Sequence, residues 1–127
     1  MRPTTALAIL CALACPLSDA LAAGLVEIEW TAQGQFAKEL TVPAGKFAEA
    51  CGKLAAGTQV GWSFEAGAPM DFNIHFHEGK EVRFPAKASA TAQSAGTLDA
   101  KVEQDYCWMW TNKSPADATL KLQLSRR

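Results

Sequence analysis

The feature that most restricts this chain is its alternation of apolar and polar residues with a period of two. The pattern recurs in short runs from Leu25 to Leu124, separated by turn residues. Successive side chains of a strand point to opposite faces, so each run marks a ribbon with one buried and one polar face. The clearest run is Met70 to Lys80, MDFNIHFHEGK, where Phe72, Ile74 and Phe76 alternate with Asp71, Asn73, His75 and His77. A slip of one residue would bury all four polar groups, so the register is strongly specified. The same run holds both histidines of the protein, next to each other on one face.

Other runs repeat the pattern. Val26, Ile28 and Trp30 share a face, as do Val60, Trp62 and Phe64, and Leu120, Leu122 and Leu124 close the chain. Phe36 to Val42 reads as a further strand, and Glu78-Gly79-Lys80 as a hairpin turn into Glu81–Phe84. Gln104 to Asn112 (QDYCWMWTN) is apolar on both faces, which predicts a central strand covered on both sides. Ala86 to Gly96 is small and polar, as suits an edge, and Glu65 to Pro69 reads as a loop. One segment departs from period two. Phe47, Ala50, Cys51 and Leu54 fall at i, i+3, i+4 and i+7, one face of a short helix over Lys46–Ala56. Short strands with turn residues between them predict an all-β fold, an antiparallel β-sandwich with one short helical segment.

The N-terminus reads as a signal peptide over residues 1–22: Arg2, then the apolar run Ala6–Cys15, then Pro16 and the small residues Ala20-Leu21-Ala22. Such a run is too short to span a bilayer. A second reading takes Leu13-Ala14-Cys15 as a partial lipobox and anchors the protein through a lipid on Cys15. The expectation is a periplasmic or secreted protein with one domain, residues 23–127, and no membrane span in the mature chain. The formal net charge is −1, and loss of Arg2 and Asp19 leaves it unchanged. That balance argues against nucleic acid as a partner.

Cys11 and Cys15 leave with the signal, so the mature chain keeps Cys51 and Cys107. Two cysteines in an exported domain read as a disulfide, worth roughly 4 kcal/mol through the loop it closes. The alternative, metal-binding or redox thiols, lacks any C-x-x-C spacing.

His75 and His77 at i and i+2 of a strand stand about 6.5–7 Å apart on one face. Two imidazoles so placed suit copper or zinc, with Asp71 as a third ligand and Glu81, Met70 or Met109 as further candidates. The plainer reading is a pair of solvated histidines bonded to Asn73. Trp62, Tyr106, Trp108 and Trp110 read as core, with Trp108 and Trp110 facing a ligand if one side of their strand opens to a cleft. No catalytic constellation is present: Ser63 sits in no G-x-S-x-G elbow, and there is no phosphate-binding glycine loop and no H-E-x-x-H.

Cys51, the stretch Gly61-Trp62-Ser63-Phe64, the stretch Met70–Ile74 and Tyr106–Asn112 together resemble the GOLD domain, the lumenal β-sandwich of the p24 (emp24) trafficking proteins. The similarity covers Leu40 to Leu124. It implies a β-sandwich bridged by Cys51–Cys107 with a non-catalytic binding role. The coiled coil and membrane span of the p24 proteins have no counterpart in this sequence. The function expected is thus an exported, disulfide-bridged β-sandwich that binds a protein or small ligand and is not an enzyme. The rival is a periplasmic copper- or zinc-binding protein using His75 and His77.

Overall fold

The computed structural model describes residues 24–127; the expected signal peptide and Cys15 lie outside the described residues. Seven strands follow one another: β1 (Leu25–Glu27), β2 (Gln35–Val42), β3 (Phe47–Leu54), β4 (Gln59–Glu78), β5 (Glu81–Asp99), β6 (Gln104–Thr111) and β7 (Ala118–Arg126). The described residues contain no helix, and hence none long and apolar enough to cross a membrane.

The hairpin β4–β5 is the spine. Strand β5 pairs antiparallel with one edge of β4 from Gln59↔Asp99 to Glu78↔Glu81. Along the opposite edge, β7 pairs with Val60–Ala66 and β6 with Asp71–His75. The path β1-β3-β6-β4-β7-β2 results, with β5 beside β4. Strand β1 joins β3 in parallel, so the sheet is mixed.

This is a curled single sheet rather than the separate antiparallel layers that the alternation suggested. The bend lies where β4 was read as a loop, since its pairing with β5 shifts register between Glu65 and Met70. Phe64 and Phe72 make the curvature visible. Eight residues of straight strand would span about 26 Å, yet these rings are 4.8 Å apart. Trp110 packs against both, at 5.6 and 5.5 Å. The core fills the concave side, where Trp108, Trp110, Leu120 and Val60 are fully buried.

The helix expected over Lys46–Ala56 is instead strand β3. Ala48 lies opposite Trp110, and Ala50 opposite Trp108. The small side chains leave the concave face free for the indoles, which is why alanine stands in a strand against its propensity. The same packing removes Trp108 and Trp110 from the ligand-facing role: both are wholly inside. Strand β6 is central, between β3 and β4, but among the described residues no strand covers its outer face, where Met109 and Thr111 are half-buried.

Candidate functional site

The outer face of β3, β6, β4 and β5 gathers the polar and reactive side chains. Three residues lie in register across it: Cys51 on β3, Cys107 on β6 and His75 on β4. Cys51 and Cys107 are bonded, with Cα atoms 4.1 Å apart. Glu49 precedes Cys51 by two residues and so shares its face. Its Oε1 accepts a hydrogen bond from Nε2 of His75 at 3.1 Å. On the other side of the ring, Nδ1 of His75 lies 2.8 Å from Oδ1 of Asn73. His77 meets the ring edge-on at 5.4 Å, and Phe84 of β5 lies 6.1 Å away.

The two histidines therefore differ. His75 is buried among Cys107, Glu49, Phe84 and His77, whereas His77 is exposed. Burial pushes His75 below its ordinary pKa; the Glu49 carboxylate pulls it back up, and the His77 ring pushes it down again. Burial wins, and the ring is neutral at pH 7. A neutral imidazole has one N–H, here facing two acceptor oxygens. A half-turn of the Asn73 amide offers its NH2 group to Nδ1 and resolves the conflict.

The copper or zinc set of His75, His77 and Asp71 is not assembled. Asp71 is tied to Lys113 and accepts the Ala90 N–H at 3.0 Å. Both contacts hold its carboxyl below the usual range, the Lys113 hydrogen bond most. Glu81 pairs with Arg83 at 2.6 Å, and Met70 is buried in the core. Met109 does lie on the outer face, opposite Asn73 and Glu49. Glu49 is the residue that sequence reasoning missed. Reading β3 as a strand would have put it beside Cys51 on the face of the histidines.

The end of the β4–β5 hairpin completes the surface. Gly79 adopts φ 60° in the turn, a conformation that favours glycine. Beyond it Val82 and Phe84 are 40% and 45% exposed. The Lys87 ammonium sits 4.0 Å over the Phe84 ring. Phe84 also borders a groove of about 570 Å³ lined by Phe76, Leu98, Val102 and Tyr106. Val102 adds a third exposed apolar side chain at 41%.

No protein-family model matches the sequence, and neither does any curated protein. Solved structures do match in fold. The periplasmic inhibitor of g-type lysozyme (PliG) from Aeromonas hydrophila superposes with a TM-score of 0.60 at 12% identity, over 82% of this chain and 96% of that one. The pre-peptidase C-terminal domain of Bacillus anthracis collagenase gives 0.56 at 14% identity, over 82% and 93%. The Salmonella Typhimurium PliG gives 0.54 at 14%, over 82% and 98%. These likenesses correct the GOLD resemblance, because the matching folds are lysozyme inhibitors and a collagenase accessory domain. Paired cysteines on neighbouring strands, with aromatic alternation between, are a spacing that different β-folds produce.

Proposed function

We propose that this chain is a periplasmic, non-catalytic protein that binds and blocks another protein, and that its partner is a lysozyme. The carrying observation is the hairpin end of the curled sheet. Phe84 and Val102 are exposed at the groove, with Val82 exposed two residues before Phe84, on a scaffold held rigid by a cross-strand disulfide. Clustered apolar side chains beside a pocket are the usual centre of a protein interface. Among the described residues no nucleophile stands beside a base on the outer face: His75 bonds to Glu49 and Asn73, and both cysteine sulfurs are bonded to each other. The lysozyme reading, and the periplasmic location with it, draw support from the shared fold of the two PliG inhibitors.

The test is inhibition of cell-wall lysis by a panel of lysozymes that includes a g-type enzyme, with calorimetry of the purified proteins. The expected result is saturable inhibition of at least one enzyme. Phe84→Ala should weaken binding about tenfold or more, the loss typical of an interface anchor. Lysis unaffected at micromolar excess across the panel would remove the lysozyme reading. Inhibition unchanged by Phe84→Ala would move the interface elsewhere.

A further inference from the structure

The outer face carries a second set of groups that partner binding does not use. Glu49, Cys51 and Cys107 each offer a ligand atom, and these atoms lie within 4.8 Å of one another. Nε2 of His75 is 3.1 Å from the Glu49 carboxylate. Two sulfurs and a carboxylate oxygen thus cluster on β3 and β6, and the His75 imidazole of β4 touches that cluster through the Glu49 carboxylate. We propose that reduction of the Cys51–Cys107 bond converts this cluster into a four-donor zinc site.

The geometry is close to what the ion needs. Zinc binds sulfur at about 2.3 Å and nitrogen or oxygen at about 2.0–2.2 Å, so its tetrahedral ligands stand about 3.3–3.8 Å from one another. Small rotations bring Glu49 and the two sulfurs to that spacing, and the His75 ring, in contact with Glu49, has to swing towards the sulfurs to join them. The Asn73 side chain is placed to support a metal-bound His75 ring. A zinc-bound histidine gives one nitrogen to the metal and donates the other N–H to an oxygen. Oδ1 of Asn73, 2.8 Å from Nδ1, is that oxygen. Zinc at Nε2, with Nδ1–H donated to Oδ1 of Asn73, would satisfy both ring nitrogens, as the turned amide does in the metal-free protein. The site is open to solvent above Cys51, Glu49 and His77, so a metal can enter.

The electrons come from a dithiol. One of its thiolates attacks a sulfur of the bridge, and the second closes on the first. A cyclic disulfide leaves, and two thiols remain on the chain. Zinc then displaces the two thiol protons to solvent and binds both thiolates. Thiolate ligands also distinguish this site from the oxidised protein, which offers only Glu49 and His75.

The test uses residues 24–127, which hold the whole sheet and both bridge cysteines. Zinc and cobalt titrations are run before and after reduction by a phosphine, with circular dichroism as the control for folding. The oxidised protein should bind no stoichiometric metal. The reduced protein should take one zinc per chain, and cobalt should give a thiolate charge-transfer band with tetrahedral d–d absorption. His75→Ala and Glu49→Ala should each weaken binding at least about tenfold with the cysteines intact. If reduction unfolds the chain, zinc must restore the β-sheet spectrum, since metal binding then drives folding. Reduced protein that stays folded without binding, unfolded protein that zinc does not refold, or binding indifferent to both substitutions would overturn the proposal.

Discussion

At the scale of the residue, His75 decides how this face responds to pH. Its folded pKa lies below the ordinary value because the ring is buried, the Glu49 carboxylate notwithstanding. In the unfolded chain it titrates near 6.5. Above that value both states are neutral, and the contribution of the buried ring to stability is complete. As pH falls below it the unfolded state binds a proton first, and stability declines until the folded ring protonates too. The urea midpoint should therefore drop as pH falls below about 6.5, and His75→Gln, which cannot titrate, should flatten that drop. Equal slopes for the two proteins would show that the ring is not held neutral. Asn112 presents the opposite case, a buried polar residue with every group satisfied. Its Nδ2 donates to the carbonyls of Val42 and Ala116 at 3.0 and 2.9 Å. Its Oδ1 accepts from the N–H and hydroxyl of Ser114 at 3.0 and 2.7 Å. Asn112→Ala strands the Val42 carbonyl in the core and should cost about 1–3 kcal/mol in urea unfolding. A cost near zero would mean that water replaces the amide.

At the scale of the element, the alternation in the sequence was enough to place the two halves of β4, β6, β7 and residues Glu81–Phe84 of β5, and to set His75 and His77 on one face. It failed where a strand owes its composition to its neighbour. Ala48, Ala50 and Gly52 oppose Trp110, Trp108 and Tyr106. Their small size answers the bulk across the ladder, and nothing in β3 alone reveals it. The helical spacing of Phe47, Ala50, Cys51 and Leu54 arises because Ala50 and Leu54 are buried by both periods. Glu49 was lost with that misreading, and with it the cluster it forms with Cys51 and Cys107. The stretch Glu65–Pro69 misled in another way. Its glycine and proline mark a bend within a continuous ribbon, and only partners on both edges of β4 distinguish a bend from a loop. The long stretch Ala86–Gly96 was read correctly as an edge: β5 pairs with β4 alone. Gly96 meets the Trp62 ring so closely that an added Cβ would lie 2.7 Å from it. A glycine there lets the indole fold over the strand.

At the scale of the whole molecule, the disulfide reinforces the ladder between β3 and β6. Strand β6 comes late in the chain and β3 early, with a sequence separation of 56 between the bonded cysteines. The segment between them contains the entire β4–β5 spine. Cutting the bond therefore opens a long covalent loop, while the hydrogen bonds of β3 to β6 and β6 to β4 remain. Chain entropy puts the loss at roughly 4 kcal/mol for a loop of this length, if strain is ignored. A domain near 100 residues shifts its melting temperature about 4–8 °C per kcal/mol. The Cys51→Ala/Cys107→Ala double variant should then melt about 15–30 °C lower by circular dichroism, still in one cooperative step. Phosphine treatment without metal should lower the wild-type melting temperature by a comparable amount. A double variant that melts within about 5 °C of the parent would assign the stability to the aromatic core instead. The bridge would then be a device of the outer face, present for its sulfurs and not for the fold.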